Sequence, residues 1–230
     1  MKLKVRDNDS PKAILLNMLL AAFSLFVNGF GIYLTIQANI GAAPWDVLNI
    51  GLSKTFGILY GTASIAVSIT ILIIDILMRE PIGIAMIIDS IVVGKSVDFF
   101  NYLNIVPKCS SLISGMLLML VGFFVIAFTQ YTYMMASLGC GPRDTLLVGL
   151  KKRFKKVPIG VMTIVIFTTV TLVGYLLGGP VGIGTLICAF GLGPIMQLVF
   201  DLEGFDATRI EHQRLRDSLK VLFRKISINH

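Results

Sequence analysis

Apolar and polar positions alternate along this chain in long blocks. Six apolar runs stand out, at roughly 13–37, 60–78, 83–104, 111–135, 159–178 and 181–201. Each is near the ~20 residues a helix needs to cross a bilayer core. The breaks between them are short and rich in turn formers. Arg79-Glu80-Pro81 separates the second and third runs, and Pro107-Lys108-Cys109-Ser110 the third and fourth. Gly178-Gly179-Pro180 makes a tight hairpin of the last two. Ser10-Pro11 opens the first run with an N-cap residue followed by proline at N1. That run exceeds the ~7–15 residue core of a signal peptide, so it reads as a retained first span.

Two shorter apolar stretches, Trp45–Leu52 and Thr145–Leu150, are far too short to span. They belong to a motif that occurs twice. Residues 38–56 read ANIGAAPWDVLNIGLSKTF and residues 136–154 read ASLGCGPRDTLLVGLKKRF, with nine of nineteen positions identical at an offset of 98. A second echo follows: Pro81-Ile-Gly-Ile-Ala with Gly94, and Pro180-Val-Gly-Ile-Gly with Gly193. The chain is two related halves. Gly41-Ala-Ala-Pro44 and Gly139-Cys-Gly141-Pro142 each end one helix and start another, because small residues let the backbone turn and proline suits N1. Each short segment therefore predicts a half-helix that re-enters the bilayer or lies at its interface.

Composition places these elements in a membrane. Hydrophobic residues make up 55% of the chain and charged residues 14%, against about 25% charge in soluble domains. The mean hydropathy is +0.84. The formal net charge of +7 is distributed by side rather than gathered in a nucleic-acid-binding groove. With the N-terminus inside, four Lys and Arg fall in the N-terminus, one at Arg79, six in 136–158 and six in the tail. Only Lys54 and Lys108 fall outside, and Lys95 is intramembrane. The positive-inside rule then predicts both termini in the cytoplasm. Three spans per half make the second half enter from the opposite side, an inverted repeat of the kind found in secondary transporters. Eight passes would instead give parallel repeats, and segment length argues for six. The expected organisation is an all-α membrane protein: a cytoplasmic N-terminus (1–12), a first repeat (13–106), a second repeat (107–202) and a cytoplasmic tail (203–230).

In the tail, Ile210, Leu215, Leu219, Leu222 and Ile226 recur at helical spacing among Arg209, Arg214, Arg216, Lys220, Arg224 and Lys225. This reads either as a basic amphipathic helix on anionic lipid or as a helix packed on the domain. Cys109, Cys140 and Cys188 are dispersed and suggest neither disulfides nor a metal site. Cys188 reads as a small core residue. His212 and His230 lie in the tail, which excludes intramembrane histidine chemistry. No nucleotide-binding loop, GxSxG, HExxH or EF-hand pattern is present, so no catalytic set, metal or cofactor is expected.

The candidate site residues are the intramembrane polar ones. Asp46 and Asp144 fall in the first turn after the motif prolines. There they complement the helix dipole and are candidates to bind a cation, a proton or an amine. Trp45 and Arg143 share one repeat position. Trp45 reads first as an interfacial anchor at the outer face. Arg143 reads as part of the inner basic cluster, or as a partner for an Asp or a substrate carboxylate. The third span carries Asp89, Lys95 and Asp98, with Lys95 and Asp98 spaced to form an ion pair and Asp89 turned to the same interior. Span six holds Cys188, Pro194 and Gln197 in their places, so the charged set is asymmetric. Asp75 reads as interfacial. The glycines of span six (Gly182, Gly184, Gly191, Gly193) read as packing positions, and Thr185 as a weak candidate for a cavity hydroxyl.

Gly41-Ala-Ala-Pro-Trp-Asp-Val-Leu48, Gly139-Cys-Gly-Pro-Arg-Asp-Thr-Leu146 and Leu177-Gly-Gly-Pro-Val-Gly-Ile-Gly-Thr185 resemble bacterial membrane proteins of the YczE/YyaS type, related to the YitT group. The resemblance covers about residues 12–202. Pro81-Ile-Gly-Ile-Ala85 departs from it by lacking the Gly-Thr ending. It implies a multi-pass protein of the bacterial inner membrane and brings no substrate or residue roles. The function expected is a small secondary transporter or permease rather than an enzyme. The alternative is a non-transporting membrane accessory or regulatory protein acting through a partner or lipid; a homo-oligomer or a membrane partner is compatible with either.

Overall fold

The computed structural model describes residues 7–206, 210 and 212–223. Among these the chain is all helical: α1 (Pro11–Gln37), α2 (Pro44–Phe56), α3 (Tyr60–Leu77), α4 (Ile84–Leu103), α5 (Leu112–Met135), α6 (Pro142–Arg153), α7 (Ile159–Leu176), α8 (Ile183–Glu203) and α9 (Leu215–Phe223). Five of them, α1, α3, α5, α7 and α8, are long and apolar enough to cross a membrane. Helix α4 has 20 residues and coincides with the third predicted run, but it carries Asp89, Lys95 and Asp98. At 13 and 12 residues, α2 and α6 reach only about 20 Å, short of a ~30 Å core. Ser10 caps α1 as its sequence indicates, its Oγ accepting from the Ala13 N–H at 3.2 Å.

The repeat survives in space. An offset near 98 carries α1–α4 onto α5–α8, element for element. Helices α1 and α5 pack antiparallel through small residues. Ser24 meets Thr132, Asn28 meets Thr129, and Thr35 and Ala38 lie against Gly122 and Gly115. As one index rises the other falls, so the two helices run in opposite directions and meet near Asn28 and Ile126.

The short helices cross over between halves. Helix α2 packs on α7, and α6 packs on α3. The broken segments lock this exchange with paired backbone hydrogen bonds. Gly184 N–H donates to the Ile40 carbonyl at 2.7 Å, and Ala85 N–H to the Leu138 carbonyl at 3.1 Å. The start of each fourth helix is thus satisfied by the opposite half. Gly41 and Gly139 take φ of +114° and +127° beside Gly182 and Gly83, in backbone space that only glycine enters easily. Gly182 and Gly184 do serve close packing. Gly193 meets nothing within 4 Å, so it has no such role.

One departure from symmetry stands out. Helix α3 packs along α4, whereas the counterparts α7 and α8 form no such pair. Between α7 and α8 lies an apolar crevice of about 560 Å³, lined by Phe167, Leu172, Thr185, Leu186 and Phe190. Large apolar side chains also cover the outside of the bundle, among them Leu19, Phe23, Leu117, Leu172 and Leu176. Water solvates such a surface poorly, and lipid tails solvate it well.

The tail docks on the bundle. Gln213 N–H donates to the Ser137 carbonyl at 2.8 Å and Leu215 N–H to the Ile82 carbonyl at 2.7 Å. Ser218 is fully buried, and Val221 and Leu222 pack with Ile14, Leu25 and Leu138. Part of the apolar face of α9 therefore meets protein, through Val221 and Leu222, while Leu219 and Phe223 stay exposed and Arg214, Arg216 and Lys220 face outward. Arg209, Arg224, Lys225 and Ile226 lie outside the described residues.

Candidate functional site

A cavity of about 440 Å³ sits between the two halves. Its walls include both half-helix starts, at Ala43-Pro44 and Gly141. Neither start is capped by a side chain, because Ala43 and Gly141 offer no oxygen. Two positive dipole ends therefore border one space.

Five of the seven charged or aromatic candidates line it: Trp45, Asp46, Asp89, Arg143 and Asp144. The Arg143 guanidinium lies over the Trp45 ring, 5.0 Å from its centroid. Trp45 is half-buried in this cavity against Arg143, its counterpart in the other copy of the motif, rather than anchored at an interface. Arg143 likewise leaves the basic cluster at the end of α6 and turns inward.

The two motif aspartates differ in surroundings. Asp46 is 4% exposed and accepts a 2.7 Å hydrogen bond from the Tyr60 hydroxyl, which itself accepts from Asn49 Nδ2 at 3.3 Å. Position 158, the counterpart of Tyr60, is proline, and Asp144 is open to the cavity with no such donor. Asp89 reaches the same place from α4. A Cβ built on Gly141 would lie 2.7 Å from Asp89 Oδ2 and 3.8 Å from Asp144 Oδ2. The two carboxylates therefore converge on the glycine that opens α6.

Lys95 and Asp98 are not part of this arrangement. Lys95 is exposed, and among the described residues it has no ion-pair partner. Asp98 Oδ1 accepts the Gly61 N–H at 2.7 Å, tying α4 to the first turn of α3. Six residues along a helix rotate Asp89 far from Lys95, which is why one faces the interior and the other the outside. Asp75, near the end of α3, is fully buried within the protein, with neither oxygen hydrogen-bonded. Thr185 lines the α7–α8 crevice, where its Oγ1 accepts the Gly182 N–H at 3.2 Å.

Three polar residues of the site carry no sequence motif. Tyr60 holds Asp46. Asn28 lines the cavity and donates to Thr129 at 3.0 Å. Tyr133 also lines the cavity; it is 2% exposed and its hydroxyl makes no hydrogen bond. A polar residue inside an otherwise apolar span is the one signal that could have found them. Cys188, the counterpart of Asp89, lines the opposite wall and packs with Met119. Among the described residues no group of three or more His, Cys, Asp or Glu could hold a metal ion.

An all-helical bundle with five long apolar helices, an apolar exterior and a polar cavity at its centre is a membrane protein of several spans. Residues 15–201 match a family of unknown function (DUF6198), and the chain belongs to that family. An uncharacterized protein of Haemophilus influenzae is 29% identical over 78% of this chain and 81% of its own length. The uncharacterized membrane protein YczE of Bacillus subtilis is 28% identical, over 75% and 80%. The uncharacterized protein YyaS of the same species is 27% identical, over 73% and 85%. These relatives bear out the YczE/YyaS resemblance. No solved structure matches the chain.

Proposed function

We propose that this protein is a small secondary transporter of the bacterial inner membrane, built as two inverted repeats of three spans each. In this reading the short helices α2 and α6 approach the central cavity from opposite faces. The cavity is the observation that carries the reading: the two half-helix starts, one from each repeat, border one polar space between the halves. Discontinuous helices whose N-termini converge on a site at a repeat interface are a recurring design of secondary transporters. The antiparallel packing of α1 on α5 supports the inversion. Asp46, Asp89 and Asp144 would bind the transported species or a coupling proton, and Trp45 and Arg143 would form its opposite wall.

Reconstituted protein would show the activity directly. Flux across a substrate panel in proteoliposomes is expected for wild type and reduced at least tenfold in Asp46→Asn and Asp144→Asn. Equal flux in wild type and both variants would sink the reading. Inversion is tested separately with single cysteines at the equivalent exposed positions Phe56 and Phe154. An impermeant maleimide added to whole cells should label Phe56→Cys alone, and labelling of both would overturn it. Both termini would then be cytoplasmic, with the outward basic residues of α9 close to anionic headgroups.

A further inference from the structure

We propose that the Asp89–Asp144–Tyr133 corner of the cavity binds the ammonium group of a small primary amine, whose apolar body lies along the wall formed by Trp45, Phe123 and Phe167. The proposal deepens the transporter reading and rests on it only for the direction of movement, not for binding.

Charge gives the sign of the ligand. Three carboxylates and one guanidinium line the cavity. The two helix starts add roughly half a positive charge each. With all three carboxylates ionised, about one negative charge is left over, which a single monovalent cation balances. Position gives the corner. Asp89 and Asp144 converge on Gly141, and neither makes a hydrogen bond or ion pair among the described residues. Asp46 is already held by Tyr60. The Tyr133 hydroxyl is buried in the same wall, without a partner, and can accept from an ammonium.

The rest of the lining selects an organic cation over an inorganic one. A bare metal ion needs a close cage of oxygens. This cavity of about 440 Å³ instead offers Ile32, Val93, Phe123, Ile126, Leu192 and Met196 around a few polar groups. Such a mixture suits a small organic molecule. Trp45 offers an aromatic face that already attracts a cation, Arg143. Phe167 and Pro44 also line the apolar crevice between α7 and α8, so the cavity abuts a space where an alkyl chain would fit.

Trp45 is the chain's single tryptophan and lines the site, so its fluorescence reports on binding without transport. The full chain, purified in detergent, would be titrated with hexylamine, phenethylamine and methylamine, and with hexanoate and sodium chloride as controls. Saturable changes are expected with hexylamine and phenethylamine, at least tenfold tighter than with methylamine, and none with the controls. The Asp89→Asn/Asp144→Asn double variant should bind hexylamine at least tenfold more weakly. Should that variant fail to fold, Tyr133→Phe removes only an oxygen without a partner and should weaken binding about threefold. An equal response to hexanoate or sodium chloride overturns the proposal, as does wild-type affinity in these variants. Amine binding without flux would retire transport and leave the amine site; flux without amine binding would do the reverse.

Discussion

Arg143 lies over the ring of Trp45, 5.0 Å from its centroid, and the two residues hold the same position in the two copies of one motif. Identical residues there would set two rings or two like charges against each other. Divergence turned one shared repeat position into an attractive contact. A cation–π pair is worth about 0.5–2 kcal/mol, more where water is excluded. Thermal unfolding of Trp45→Leu, Arg143→Gln and the double variant in detergent should give a coupling of about 1 kcal/mol. Additive effects would mean the contact carries no energy. Arg143→Gln should also shift the emission maximum of Trp45, since no other tryptophan contributes.

Gly41 and Gly139 should tolerate no side chain. A Cβ on Gly41 would lie 2.7 Å from the Gly182 nitrogen, and one on Gly139 2.8 Å from the Gly83 Cα. Both glycines also hold φ values that an L-residue enters only under strain. Gly41→Ala and Gly139→Ala are each expected to cost upwards of ~3 kcal/mol, read as loss of monodisperse protein after solubilisation. Gly57 (φ +63°, nothing within 4 Å) is the contrast. Gly57→Ala should cost only ~1 kcal/mol and leave yield near wild type.

The acids divide into those that hold the fold and those that face the cavity. Asp98 satisfies the Gly61 N–H from a neighbouring helix. Asp98→Ala should lower stability by about 1–2 kcal/mol, with Asp98→Asn recovering part of it. Asp144→Asn should leave the melting temperature within a few degrees of wild type while altering ligand response. The reverse pattern in a paired melting and fluorescence experiment would reassign both residues.

Glu80 and Lys152 form a link of unequal halves. Their 2.5 Å ion pair joins the α3–α4 turn to the end of α6, with Arg153 Nη1 3.8 Å from the other oxygen. Lys152 is 57% exposed and Glu80 only 6%. Lys152→Ala should therefore cost well under ~1 kcal/mol. Glu80→Ala should cost more, because it releases both basic partners at once. Equal melting temperatures for the two variants would contradict this.

The docked tail covers the second broken segment. Residues 210, 212, 213 and 214 line one pocket with Glu80, Gly139, Cys140 and Lys152. A chain truncated after Phe205 should lose stability and expose Cys140, so maleimide labelling of Cys140 should speed up severalfold. Burial pushes the His212 imidazole below its ordinary value. The docked tail therefore favours neutral His212. Its contribution is complete above the ordinary imidazole range, near 6.5, and is lost as pH falls below it. Labelling of the full chain should accelerate at pH 5.5 relative to pH 7.5 once thiol ionisation is corrected for. A His212→Gln chain should lose that pH effect.

Much of the architecture was legible because each span announces itself by length and apolarity. The predicted 13–37, 60–78 and 111–135 became α1, α3 and α5 with ends shifted by a residue or two. The half-helices were legible because glycine and proline act locally. The site was legible only in part. Asp46, Asp89 and Asp144 draw notice as acids within apolar sequence, yet nothing in their spacing separates them from Lys95, Asp98 or Asp75. Which way each points depends on helix rotation and on the neighbour it meets. Tyr60 and Tyr133 were missed because tyrosine is ordinary in a span. Trp45 was misplaced because its usual place at a membrane surface says nothing of a partner 98 residues away.

The sequence alone determined the class of this protein, its duplication and the places where its helices break, since these follow from hydropathy, proline and glycine acting over a few residues. Only the tertiary structure decided that the short helices exchange between halves and that three aspartates, one arginine and the lone tryptophan share a cavity. Those facts rest on contacts between residues far apart in the chain. A side chain's meaning at such a site is set by what packs against it, and packing is a property of the folded halves together.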